Sequence, residues 1–290
     1  MVALTATEAP FLVIGGTGNV GREVIAALLA AGEPVRAAVR NDAAAARLPP
    51  GAEAVRLDLE DSATFEAALA GVRGLFLMRP PLIVRVKSTL NRFLDAAEAA
   101  GVGHCVFLSV AGAETNKMVP HHGTEKRLME GSMPWTILRP GFFAQNLTGP
   151  YREDIREGRI VLPAGNGEVA FVDAKDLGAV AAAVLREPLA HAGQAYHLTG
   201  PQAVTFDQVA AMLTEALGRP VVYEAASIPG YWRHVRRRGV SRVQAAVYTV
   251  LHVGLRKGQG AAVDPTIAQL LGRPARAMPQ FIADNLSAWR

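Results

Sequence analysis

Apolar and polar positions along the first 140 or so residues keep changing period. Short apolar runs, FLVIG (11–15), VRAAVR (35–40), AVRLD (54–58), GLFLM (74–78) and HCVFLS (104–109), predict buried strands. Between them, Ala-rich stretches at 20–31, 42–48, 62–70 and 84–100 place apolar residues at helical spacing. Parallel strands need long crossovers, so this alternation predicts a parallel sheet covered by helices on both faces. WTILRPG (135–141) and QAYHL (194–198) read as two further strands of the same sheet.

Beyond residue 141 the pattern changes. Pro and Gly punctuate the chain, strand signals become scarce and helix signals stand out. Thr205 and Gln208 form a capping box before an apolar-periodic run to Leu217. Asp264, Pro265 and Gly272 supply an N-cap, a first-turn proline and a C-terminal glycine around one short helix. Asp176 is expected to cap a helix through Leu185. The chain therefore divides into a first domain over 1–141, with returns to its sheet and helices at about 171–200, and a smaller, mostly helical lobe over 142–170 and 201–290.

Composition narrows the class. Of 290 residues, 50% are hydrophobic and 19% charged, enough for a sizeable core, and a net charge of +4 is too mild to imply a nucleic-acid binder by itself. Cys105 is the one cysteine, which rules out an intrachain disulfide and leaves no Cys-based zinc site. The opening MVALTATEAP lacks a basic segment followed by an apolar one, and no apolar run has the length of a membrane span. The expectation is a cytoplasmic protein that does not engage membranes; a homo-oligomer is compatible with the sequence.

The first strand ends in GGTGNVG and runs straight into a helix. In the spacing Gly15-x-x-Gly18-x-x-Gly21, Gly15 allows the tight turn, Gly18 lets a pyrophosphate approach the backbone, and Gly21 lets helix and strand close up. The helix N-terminus offers free N–H groups and partial positive charge to phosphates. A tight strand–helix turn alone would also use glycines, but the order strand, loop, helix at the head of an alternating chain favours a dinucleotide. The second strand ends in Val39-Arg40-Asn41 where an NAD site places a carboxylate. A guanidinium there suits a 2′-phosphate, which points to NADP(H). Asp42 lies in the same window and is expected to cap helix 42–48.

These features together resemble the NmrA-like group of atypical short-chain dehydrogenases/reductases. The resemblance rests on GGTGNVG, VR (39–40), RLDLED (56–61), FLSVAGAE (107–114), HHGTEKRL (121–128), WTILRPGFFAQNL (135–147), FVDAKDLGAVAAAVL (171–185) and LLGRPARAMPQFIADNL (270–286), nearly end to end. It implies a Rossmann-type, doubly wound α/β fold with a smaller, mostly helical C-terminal substrate lobe and a cleft between the two. By position it implies Thr17, Asn19 and Val20 along the pyrophosphate and Arg40 at the 2′-phosphate. Asp58 and Leu59 would flank the adenine, and Met78, Arg79 and Pro80 would run toward the nicotinamide ribose. Pro140, Gly141, Phe142 and Phe143 would border the nicotinamide.

Mainstream relatives of that group use a serine after the fifth strand and a Tyr-x-x-x-Lys pair. Ser109 fits the serine and Lys126 the lysine, which would also hold the ribose. His122 stands where the tyrosine belongs, and Tyr151, Tyr196, Tyr223, Tyr231 and Tyr248 are all out of register. This departure turns the reading away from ordinary ketone reduction. His122 and Lys126 are i, i+4 neighbours, so His122 is a candidate proton donor. The competing reading makes the histidines structural, with Glu125 pairing Arg127 or Lys126 on a solvated surface. His121 and Glu125 are also i, i+4, but no motif supplies further metal ligands, so no metal is assigned.

Two more features carry weaker signals. Cys105 falls in a buried strand and reads as inert. The basic run Arg233-His234-Val235-Arg236-Arg237-Arg238, with Arg242, reads as a solvated helix face, with an anionic substrate or partner as the alternative. Trp232, Val235, Val243, Val247 and Leu251 trace a helical stripe through it that is expected to pack on the core or on a partner. The leading expectation is an NADPH-dependent oxidoreductase for a small aromatic, quinone-like or enone substrate. The alternatives are an NADP(H)-binding redox sensor without turnover, or a non-redox isomerase or cyclase on the same fold.

Overall fold

A computed structural model describes residues 9–81 and 83–290. The chain runs β1 (Phe11–Val13), α1 (Asn19–Ala30), β2 (Val35–Val39), α2 (Asp42–Ala45), β3 (Glu53–Arg56), α3 (Phe65–Leu69), β4 (Gly74–Met78), α4 (Leu90–Ala99), β5 (Cys105–Leu108), α5 (Pro120–Glu130) and β6 (Trp135–Pro140). It continues with α6 (Arg152–Arg156), β7 (Arg159–Leu162), β8 (Glu168–Val169), α7 (Ala174–Arg186), α8 (Pro188–His191), β9 (Gln194–Leu198), β10 (Val204–Thr205), α9 (Phe206–Leu217) and β11 (Val222–Ala225). Helices α10 (Ile228–Arg237), α11 (Arg242–Arg256), α12 (Thr266–Leu271) and α13 (Met278–Asp284) follow.

The backbone clusters into two compact units. The first holds the chain up to Pro140 together with Ala174–Leu198 and Gln269–Gly272; the second holds Gly141–Asp173, Thr199–Ala268 and Arg273–Arg290. The first unit is an α/β sheet of seven parallel strands in the order β3-β2-β1-β4-β5-β6-β9. Its central strands β1, β4 and β5 are buried nearly throughout, as unbroken apolar runs require, whereas the edge strand β3 is largely exposed. Strand order reverses beside β1, between β2 and β4, and the C-terminal ends of these parallel strands share one edge of the sheet. Helix α7 lies close against α1: a Cβ on Gly178 would fall 2.6 Å from the Glu23 carbonyl carbon.

In the second unit an apolar core gathers Tyr231, Phe206, Phe281 and Trp289, and the Trp289 indole N–H donates to the Leu147 carbonyl at 2.9 Å. Thr205 and Gln208 complete the expected capping box on α9, and Asp264 accepts from the Thr266 N–H at 2.9 Å ahead of α12. Two small sheets stand here that the apolar spacing does not announce, parallel β7–β11 and antiparallel β8–β10. None of these strands exceeds four residues, too short to display a period.

Four local expectations change. Asn41, not Asp42, caps α2, accepting from the Ala44 N–H at 2.9 Å; Asp42 sits in the first turn. The helix expected over 84–100 is confined to α4 after a single 3-10 turn at Val86–Ser88, because Thr89 leaves helical geometry (φ −124°, ψ −91°). Asp176 lies inside α7, which already starts at Ala174. The stripe from Trp232 to Leu251 is broken by Gly239 at φ +78° into α10 and α11. Tyr231 and Val235 are buried, while Val243, Val247 and Leu251 are exposed. No described helix is long and apolar enough to cross a membrane.

Candidate active site

The glycine loop occupies the sheet edge at the end of β1. Gly15 adopts φ +79°, and its carbonyl accepts from the Gly18 N–H at 2.9 Å, closing the turn. A Cβ on Gly21 would fall 2.2 Å from the Gly15 oxygen, so α1 meets β1 only because that side chain is missing. No side chain caps α1 at Gly18, and its first turn carries no acid. The positive end of α1, with Thr17, Asn19 and Val20 around it, is thus left for an outside anion. Arg40 follows β2 at the same edge, exposed and without an ion pair among the described residues.

Other expected residues are committed to protein partners. Asp58 Oδ1 accepts from the Glu60 N–H at 3.0 Å, and Leu59 is 6% exposed in the core. Met78 lies against Gly15. Arg79 bends back on its own loop, donating to the carbonyls of Pro80 (3.1 Å), Pro81 (3.1 Å) and Ile83 (2.7 Å). Burial lowers its guanidinium below the ordinary value. Pro140 ends β6 in the first unit. Gly141, Phe142 and Phe143 belong to the second, where Phe142 packs edge-on against Phe171 at 5.6 Å and Phe143 bridges Val172.

The segment HHGTEKRL forms α5, and its outcome differs from the sequence reading. Glu125 is not on a solvated surface: it is 2% exposed and grips Arg139 of β6 through Nη2 (2.7 Å) and Nε (3.1 Å). Ser109 Oγ–H donates to the same carboxylate at 2.5 Å. Arg139 also lies 3.4 Å from Glu114. Burial alone would lower Arg139, but its bonds to Glu125 outweigh that and hold it above the ordinary value. Lys126 points to solvent and pairs with Glu130 at 3.6 Å, and Arg127 pairs with Asp95 and Glu98, each at 2.6 Å.

The two histidines differ sharply. His122 Nδ1–H donates to the Ala113 carbonyl at 2.8 Å, which fixes the tautomer and leaves Nε2 as an acceptor. His121 is buried. Its Nε2 accepts from Arg79 Nε at 3.4 Å, placing the proton on Nδ1, which has no partner. Burial, then the Arg79 charge, pushes His121 down to about 4, so it is neutral at pH 7. No described group of three or more His, Cys, Asp or Glu is arranged to hold a metal ion. Cys105 is fully buried and its thiol is pushed up by burial. The one tyrosine of the first unit, Tyr196, bonds His191 at 2.9 Å.

The missed participants are Arg139, Glu114 and the buried role of Glu125. A signal was present: Arg139 stands inside the apolar strand WTILRP, and a guanidinium there demands a buried counter-charge.

A family model for the NmrA-like family matches residues 8–248, which include the glycine loop, the serine after β5 and HHGTEK on α5. The chain belongs to the NmrA-like family. Among its relatives is the NAD(P)H azoreductase of Xenophilus azovorans, 36% identical over 96% of this chain and 98% of that protein. The structure of an NADPH-dependent quinone oxidoreductase of Escherichia coli complexed with NADPH superposes with a TM-score of 0.84 at 28% identity, covering 95% of this chain and 99% of that one. Triphenylmethane reductase of Citrobacter sp. gives a TM-score of 0.84 at 27% identity, covering 97% and 99%. In this NmrA-like chain Ser109, Glu125 and Arg139 form a buried cluster within the sheet unit.

Proposed function

We propose that the chain is an NADPH-dependent reductase of small aromatic acceptors, quinone-like, azo or enone in type. The glycine loop fits a pyrophosphate: its positive-φ turn, the close approach at Gly21 and the acid-free start of α1 are arranged for an anion. Arg40 would take the 2′-phosphate. When bound, NADPH supplies the hydride; the chain binds and orients it.

One observation carries the choice of acceptor. None of the chain's tyrosines stands in register with Lys126, where the mainstream reductases keep their proton donor, and the Ser109 hydroxyl donates to Glu125. A ketone needs a proton delivered to oxygen as hydride arrives. A quinone or azo acceptor spreads the incoming charge by conjugation and takes its proton from solvent. The names of the relatives, an azoreductase and a quinone oxidoreductase, support the same class.

The cofactor assignment is tested at Arg40. A charge-assisted contact to phosphate is worth about 1.5–3 kcal/mol, so Arg40→Ala should weaken NADPH binding roughly ten- to a hundredfold. NADH affinity should hardly move. Nicotinamide fluorescence titrations on both proteins read this out, and equal losses for the two cofactors would remove Arg40 from the 2′-phosphate.

The proton assignment is tested at His122. His122→Phe should change turnover by less than about tenfold, whereas loss of a general acid costs roughly 10²–10⁴. Stopped-flow NADPH oxidation with a quinone acceptor separates the two results. A loss of a hundredfold or more at unchanged NADPH affinity would make His122 the donor.

A further inference from the structure

The basic run on α10 is not absorbed by the reductase reading. Residues 228–242 contain Arg233, Arg236, Arg237, Arg238 and Arg242 and no carboxylate. In the structure this run walls a surface cavity of about 400 Å³ lined by Arg233, His234, Arg237 and Arg238 with Glu157 and Arg159. Every one of these residues lies in the second unit, so the glycine loop contributes nothing to it.

The charges around the cavity do not balance. Asp154, 7% exposed, takes His234 Nε2 at 2.8 Å and Arg238 Nη2 at 2.6 Å. Glu157 takes Arg238 at 2.6 Å and Arg159 at 2.9 Å. Two carboxylates are thereby used up in fixing Arg238 and Arg159 in place. Arg233 and Arg237 have no ion pair among the described residues. They stand one turn apart on α10, where like charges repel. Counting guanidiniums and carboxylates alone, the four arginines exceed the two acids by two positive charges, and Arg233 and Arg237 face a concave space. The position at a helix C-terminus accounts for cations at 236–238 but not for Arg233, a turn earlier.

We propose that this cavity is a binding site for a dianionic phosphate group of a small soluble molecule, gripped by Arg233 and Arg237 against the fixed floor of Arg238 and Arg159. Two surplus positive charges match one phosphate dianion. The forked donors of arginine suit its oxygens better than a point charge would. Carboxylate monoanions match neither the charge nor the number of acceptors.

Calorimetric titration with inorganic phosphate at about pH 8, where it is chiefly the dianion, on protein saturated with NADP⁺ so that any phosphate site at the glycine loop is filled, tests this. The wild type should bind one equivalent, more weakly as NaCl is raised. The Arg233→Ala/Arg237→Ala variant should bind at least about tenfold more weakly, the loss expected for charge-assisted contacts. Arg233→Lys/Arg237→Lys should fall between the two, because charge remains while the fork is lost. Both side chains are exposed, so urea midpoints should match the wild type and exclude misfolding as the cause. No wild-type binding tighter than about 1 mM, or equal affinity in the alanine variant, overturns the proposal.

Discussion

Glu125→Ala is expected to destabilise the protein by about 3–5 kcal/mol, because it strands the Arg139 guanidinium in the core. Arg139 is 8% exposed, and both of its bonds to Glu125 would vanish together with the acceptor of the Ser109 hydroxyl. Glu114, at 3.4 Å and one-third exposed, is a poor substitute. Glu125→Gln keeps shape and an acceptor oxygen and should cost less than alanine. Removing both charges, as Glu125→Leu/Arg139→Met, should recover most of the loss, since a buried pair contributes little net over apolar residues of like size. Urea unfolding of the four proteins measures this. A cost under about 1 kcal/mol for Glu125→Ala would mean that water or Glu114 replaces the carboxylate freely.

Acid should unfold the protein through three buried imidazoles. His104 and His121 in the first unit and His252 in the second are each pushed down to about 4, in every case chiefly by burial. His104 donates from Nε2 to Thr136 Oγ, whose own proton goes to the His191 carbonyl, and His252 Nε2 meets the Tyr151 hydroxyl at 2.5 Å. The unfolded chain protonates near 6.5, so between pH 6.5 and about 4 it binds more protons than the folded one. Stability is therefore full above pH 6.5 and is lost as the pH falls, by on the order of 1–3 kcal/mol for each imidazole by pH 4. Glu98, held at about 2 by Arg127 and Ser132, loses its pairing in the same direction at still lower pH. Urea midpoints at pH 7.5, 6, 5 and 4.5 follow the decline. Flat midpoints across that range would show that the imidazoles take up protons without leaving the fold.

The parts of the fold legible in the sequence are those where burial imposes a local pattern. FLV, GLFLM and CVFL are unbroken apolar runs because the strands they form are covered on both faces. The glycine loop was legible because its turn needs a residue at φ +79° and its helix needs a missing Cβ. What escaped depended on partners distant in sequence. The burial of Glu125 is decided by Arg139, fourteen residues away on β6, while the helical spacing of α5 reads equally well as a surface. Arg79 carries the charge a cofactor would attract, yet three carbonyls of its own loop claim it. Asn41 and Asp42 are both good capping residues, and a shift of one residue in the start of α2 lies below what spacing resolves. Val243, Val247 and Leu251 repeat at helical intervals without being buried, so periodicity alone did not tell an inward face from an exposed one.

Turnover of NADPH against conjugated acceptors is the activity to test most directly in this NmrA-like chain. Steady-state NADPH and NADH oxidation should be measured with a naphthoquinone, an azo dye and an aliphatic ketone. NADPH should be consumed with the quinone or the azo dye, with kcat/KM at least about tenfold higher for NADPH than for NADH, and the ketone should show no measurable reduction. NADPH that binds and is left unconsumed by all three acceptors, or reduction of the ketone as fast as the quinone, would contradict the proposed function.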